Sequence, residues 1–177
     1  MIISRCPLRI SLIGGGSDIP EISSAIGGGA SLGFSINWHM SLVGHSFIDK
    51  LVLKYSDIEL VDNVGDIRHA IFREVLTRNC PNISNYEITS MCDVIGGTGL
   101  GSSSAFTVSL LNLIDKKIGK RRSTLNLAYI ASIAEIDWVG SKIGLQDAFL
   151  CALGGVNLLR FNGRDRPIIE SIEYDDD

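Results

Sequence analysis

The residues of this chain equipped for chemistry are a run of glycines and serines and a handful of acidic side chains. The run is Gly96-Gly97-Thr98-Gly99-Leu100-Gly101-Ser102-Ser103-Ser104. It follows a β-branched stretch and opens an apolar one, so a strand, a tight turn and a helix start meet there. Such a junction leaves several backbone N–H groups unpaired at the positive end of a helix dipole, where a phosphate accepts from all of them. Serines at that point cap the helix or ligate Mg²⁺. The same composition also suits a plain flexible connection. A Walker A loop is excluded, because no Lys follows the last glycine. A dinucleotide fingerprint is broken, since Ser102 stands where the third glycine after Gly97 and Gly99 belongs.

The acidic residues each have an ordinary reading. Ser17 or Asp18, after Gly14-Gly15-Gly16, can cap a short helix, and that is the ordinary reading of Asp18. Glu135 and Asp137 flank an apolar stripe of Leu125, Tyr129, Ile133 and Ile136, and either one can face a cleft. Asp147 stands near the start of an apolar helix, where a carboxylate suits the dipole. His39 and His45, six apart on a strand, share a face but have no third metal ligand in view.

These residues need positioning elements. Met1 to Ile13 reads as a strand bent at Pro7, and a short helix follows and ends at Gly27-Gly28-Gly29. Ala30 to Phe47 alternates as a pair of strands, with short strands at 51–56 and 58–61. Helices are expected at about 68–78, 102–118, 124–139 and 146–153, with Ser123 as an N-cap. Tyr86 to Val94 and Val156 to Phe161 are strands, and Asp165 to Tyr174 is one more. The fold class is α+β, a mixed sheet backed by helices.

The chain has 177 residues, 45% of them hydrophobic, and a net charge of −4, which fits one folded domain rather than a disordered acidic segment. Its basic residues gather only at Lys116-Lys117 and Lys120-Arg121-Arg122, where they suit a helix C-terminus, and there is no basic face for nucleic acid. Cys6, Cys80, Cys92 and Cys151 are far apart and read as buried or incidental thiols of a reducing compartment. No apolar run approaches the ~20 residues of a membrane span, so a soluble cytoplasmic protein is expected.

The stretch Gly99-Leu100-Gly101-Ser102-Ser103-Ser104-Ala105 resembles the ATP-binding motif of the GHMP kinases (galactokinase, homoserine kinase, mevalonate kinase and phosphomevalonate kinase), except that Ile95 stands where the family has Pro. Two further stretches share the resemblance. Pro7-Leu8-Arg9-Ile10-Ser11-Leu12-Ile13-Gly14-Gly15-Gly16-Ser17-Asp18 is similar to the family's first motif as sugar kinases carry it, and Gly144-Leu145-Gln146-Asp147 to the segment with their catalytic Asp. Gly15-Gly16, Tyr55-Ser56 with Glu59-Leu60-Val61-Asp62, and Ile143 to Asp147 bring it nearest the D-glycero-D-manno-heptose 7-phosphate kinases, with galactokinase, fucokinase and mevalonate kinase as cousins.

The resemblance implies a GHMP kinase N-terminal domain, of the ribosomal protein S5 domain 2-like fold, over residues 1–160. Residues 161–177 would then lead toward a ferredoxin-like C-terminal domain that this sequence does not include. It implies ATP phosphates on Gly97 to Ser104, and Mg²⁺ on Ser103 and Glu135, with Asp137 close by as the alternative. Asp147 is the implied base. Asp18, with Gly15, Gly16, Ser17 and Gln146, meets the sugar, and Arg9 or Arg5 meets the substrate's own phosphate or balances Asp147. In the adenine pocket the implied candidates are Tyr55 and Ser56. The implied reaction is transfer to the anomeric hydroxyl of a sugar phosphate, giving a 1,7-bisphosphate. The other readings are a non-catalytic nucleotide-binding remnant that needs a separate C-terminal half, and a dinucleotide-binding protein. An exposed apolar patch, and hence self-association, is expected of such a half.

Overall fold

Strands β1 (Ile2–Ile13) and β2 (Gly29–Ser46) pair antiparallel from Ile2↔Gly44 to Ile13↔Leu32 and form the spine of the molecule. In this computed structural model residues 1–173 are described. The expected strand pair over Ala30 to Phe47 is instead one strand of 18 residues. No turn interrupts it. The register slips where Pro7 and Leu8 face His39 and Ile36, and this bulge lets β2 bend without ending. Pro7, which has no N–H to give, sits on β1, whose only strand partner among the described residues is β2.

The long β2 shares its other edge between two strands. Met40 to Ser46 pair with β5 (Tyr86–Cys92), and Gly29 to Phe34 pair with β6 (Val156–Phe161). Beyond β5 lie β3 (Leu51–Lys54), parallel to it, and β4 (Ile58–Val61). Past β6 comes β7 (Ile168–Ile172), an antiparallel edge strand. Tyr174, the expected end of that strand, and the terminal aspartates lie outside the described residues.

Helices α1 (Pro20–Ala25), α2 (Ala70–Asn79), α3 (Ser102–Lys117), α4 (Thr124–Ile133) and α5 (Gln146–Leu153) complete the fold, and a 3₁₀ turn at Val64–Asp66 precedes α2. α3 is the central one. It packs on β1 and β2 and is flanked by α2, α4 and α5, so it is apolar around most of its circumference. Leu110, Leu111, Leu113 and Ile114 are fully buried, each worth roughly 1.5–3 kcal/mol relative to exposure. No helix among the described residues is long and apolar enough to cross a membrane.

Two sequence expectations need correction here. The helix expected over 124–139 is α-helical only to Ile133. Ala134–Trp138 form a π-helical turn, in which the Val139 N–H donates to the Ala134 carbonyl at 3.0 Å. Neither Ser17 nor Asp18 caps α1, whose start is Ile19 with no side-chain cap. Ser123 does cap α4, accepting from the Asn126 N–H at 3.3 Å.

Candidate active site

The glycine loop lies between β5 and α3 as expected, and Gly97, Gly99 and Gly101 all have positive φ. Gly101 is the N-cap of α3 in the left-handed region, at φ 75°. A Cβ there would lie 3.0 Å from Arg9 Cγ, so only glycine allows the helix to start against β1.

Arg9 explains the close approach. Its Nε donates to Asp147 Oδ1 at 2.8 Å, one terminal nitrogen donates to Asp147 Oδ2, and the other donates to the Gly99 carbonyl at 2.7 Å. The Arg9 N–H also donates to the Leu100 carbonyl at 3.1 Å. The side chains are only 11% and 23% exposed, so this bidentate pair is shielded from solvent and geometrically fixed. Arg5, the other candidate, instead meets His39 Nδ1 at 2.9 Å. Asp147 sits in the first turn of α5.

Ser103 donates to Glu135 Oε2 at 2.6 Å. Glu135 lies in the π-turn that continues α4, and such turns gather at functional sites. Glu135 is 1% exposed, and its Oε1 is buried without a hydrogen-bond partner. Burial pushes its carboxyl above the usual range, opposed by the hydroxyls of Ser103, Ser104 and Thr107 and reinforced by the negative charge of Asp147. Asp137 points elsewhere and pairs with Arg164.

Asp18 is also buried. Its Oδ1 accepts from the Gly16 N–H and its Oδ2 from the Gln146 N–H, each at 3.0 Å, while its carbonyl accepts from the Leu145 N–H at 3.3 Å. It is thus a cap, but of α5 rather than α1, supplied from a distant segment. Burial raises its carboxyl, opposed by these backbone donors, and the Asp147 charge adds to the rise. Gln146 accepts from Ser11 Oγ at 3.0 Å and lines up beside Gly15. Ser17 is spent on the turn, donating to the Gly14 and Ala30 carbonyls at 2.7 and 3.0 Å.

A cavity of about 640 Å³ opens beside the loop, lined by Gly96, Ser102 and Ser103 on one side and by Tyr55, Ser56 and His69 on the other. His69 was not read from the sequence as a site residue. Its Nδ1 accepts from the Phe72 N–H at 3.4 Å and burial lowers its pKa, so a neutral imidazole faces the cavity. Tyr55 donates to Glu59 at 2.7 Å, and its phenol is pushed up to about 12 by burial and by that carboxylate.

A strand, a glycine loop, an exposed serine bonded to a buried carboxylate and a second, arginine-held carboxylate now stand together. The family model described as GHMP kinases N terminal domain matches residues 53–155, from the cavity wall through Asp147. The chain belongs to the GHMP kinase family. A curated relative, the D-glycero-alpha-D-manno-heptose 7-phosphate kinase of Campylobacter jejuni, is 25% identical over 187 aligned positions, covering 97% of this chain and 54% of the relative. Among solved structures, a D-glycero-D-manno-heptose 1-phosphate kinase from Bacteriodes thetaiotaomicron superposes with a TM-score of 0.88 at 22% identity, over 99% of this chain and 61% of that one. The Lactococcus lactis galactokinase complexed with galactose superposes at 0.70 with 18% identity, over 98% and 48%. This GHMP domain therefore spans about half the length of the relatives it matches.

Proposed function

We infer that this chain is the nucleotide-binding and catalytic half of an ATP-dependent sugar kinase that phosphorylates the anomeric hydroxyl of a sugar phosphate. The observation that carries the reading is the Arg9–Asp147 pair hydrogen-bonded to the glycine loop, with the Ser103–Glu135 pair on the helix that loop opens. The residues fit MgATP. A Cβ at Gly96, Gly97 or Gly99 would meet no atom within 4 Å, which leaves room for phosphates against the backbone. Glu135 Oε1 is a buried carboxyl oxygen with no hydrogen-bond partner, open for a cation to take up.

In this reading Gly97, Thr98, Gly99, Leu100, Gly101, Ser102, Ser103 and Ser104 hold the ATP phosphates, and Ser103 and Glu135 hold Mg²⁺. Bound MgATP supplies the phosphoryl group and neutralises the charge that develops on it. Asp147 keeps a free lone pair on each oxygen beyond those Arg9 uses, and it orients the attacking sugar hydroxyl and accepts its proton. Arg9 fixes the plane of that carboxylate. Asp18 with Gly15, Gly16, Ser17 and Gln146 shapes the sugar side, Asp18 acting by holding the start of α5 as much as by contact. Positioning and charge stabilisation then supply most of the rate.

The substrate favoured is D-glycero-D-manno-heptose 7-phosphate, giving the 1,7-bisphosphate in the cytoplasm. The Campylobacter relative's name supports it. A second reading, a nucleotide-binding module that turns over only with a separate C-terminal half, is favoured by the 54% coverage of that relative. The exposed Leu12, Ile13 and Ile26 offer an apolar surface for such a half or for self-association. The test is ADP release from MgATP across heptose 7-phosphate, heptose 1-phosphate, fucose, galactose and mevalonate. Release only with heptose 7-phosphate is expected; release with another acceptor alone would replace the substrate.

A further inference from the structure

The basic run after α3 has no part in the site described above, yet its last residue is built into the fold. Arg122 is only 10% exposed at its side chain. One terminal nitrogen donates to Asn79 Oδ1 at 2.7 Å, Nε lies 3.3 Å from Asp115 Oδ2, and the remaining terminal nitrogen is buried with no partner. Beside it is a cavity of about 210 Å³ between β1, α3 and the start of α4, lined by Arg5, Asn112, Arg122 and Thr124, with Cys6 and Cys151 also on its wall. Among the described residues no carboxylate lines this cavity; Asp115 lines the neighbouring one, which shares Asn112 and Arg122 with it and adds Lys116, Lys120 and Arg121.

We propose that this cavity is a binding site for a phosphate-class oxyanion, held between Arg5 and Arg122. Arg122 keeps one buried terminal nitrogen without a partner beyond its contacts to Asn79 and Asp115, and Arg5 lines the same cavity, so an oxyanion there would accept from both, and planar forks suit tetrahedral oxyanions. Thr124 is the first residue of α4, a ten-residue helix, so unpaired backbone N–H groups and the positive dipole end add to the same field. The volume is enough for phosphate or a short phosphomonoester. An occupant would rest behind the catalytic pair, because Cys6 lies three residues from Arg9 on β1 and Cys151 four from Asp147 on α5.

The site is tested by titrating the ¹⁵N-labelled 177-residue chain with inorganic phosphate, sulfate and glycerol 1-phosphate at constant ionic strength. Amide shifts are followed separately at Arg5, Asn112 and Thr124 and at Gly96 to Ser103. The expected result is saturable shifts in the first group, weakened at least fivefold by Arg5→Gln, a surface change, and by Arg122→Gln. Tighter binding of the ester than of free phosphate assigns the occupant to a phosphorylated metabolite, and the reverse assigns it to the free ion. Shifts confined to the glycine loop, shifts that do not saturate, or binding unchanged in Arg5→Gln would overturn the site.

Discussion

Arg9 on β1 and Asp147 on α5, 138 residues apart, form a two-point ion pair whose guanidinium also holds the Gly99 carbonyl at 2.7 Å. One side chain thereby sets the orientation of the proposed base and the position of the proposed phosphate loop. Asp147→Asn keeps the shape but cannot take a proton. It should lower turnover by about 10²–10⁴-fold while leaving MgATP affinity within a few-fold, read by steady-state kinetics and calorimetry. Arg9→Lys loses the fork, and should lower turnover and nucleotide affinity together.

Glu135 carries a second prediction. Its carboxyl is raised by burial in the folded chain, so the folded state holds the proton more tightly than the unfolded one does. The stability this contributes is fully present below the unfolded carboxylate range and is lost as pH rises through the raised folded value. Glu135→Gln escapes that loss. It should melt higher than the native chain at neutral pH in the absence of Mg²⁺, with the advantage shrinking as pH falls from the raised folded value toward the ordinary Glu range and gone below it. A gain on the order of 1 kcal/mol corresponds to about 2–4 °C. The same substitution should abolish the Mg²⁺ dependence of ATP binding, whereas Asp137→Asn, which breaks a surface pair with Arg164, should preserve it.

Gly144 and Asp18 give the third. A Cβ on Gly144 would lie 1.8 Å from Asp18 Oδ2, and Asp18 cannot retreat, because both its oxygens accept backbone N–H bonds that join the first glycine turn to α5. Gly144→Ala should cost at least the ~1–3 kcal/mol typical of overpacking and loosen Asp147 with the helix it starts. Urea denaturation measures the first effect and kcat the second.

Much of the fold was legible because local pattern and environment agree. α3 and α5 are dense in apolar residues and buried accordingly, so their expected bounds, 102–118 and 146–153, differ from the observed ones by at most one residue. The strand pair over Ala30 to Phe47 failed, since one strand that bends at a bulge has the same alternation as two. The π-turn was invisible for a similar reason: a single extra residue in one hydrogen-bonded turn shifts a short stripe too little to see. The glycine loop was legible from type and spacing as a turn into a helix, whereas the acidic residues read as caps or flanks and were singled out only by the family resemblance. That Asp18 caps α5, and that Arg9 rather than Arg5 meets Asp147, depends on contacts across more than a hundred residues, where no local pattern reaches.

The most direct test of the account is ADP release from MgATP by the 177-residue chain with heptose 7-phosphate, beside the Asp147→Asn chain under the same conditions. The account predicts release that requires the sugar phosphate and falls by at least a hundredfold in the variant. Equal release by both chains would contradict Asp147 as the base. MgATP binding with no release from any acceptor would contradict turnover by this chain and leave it a nucleotide-binding module.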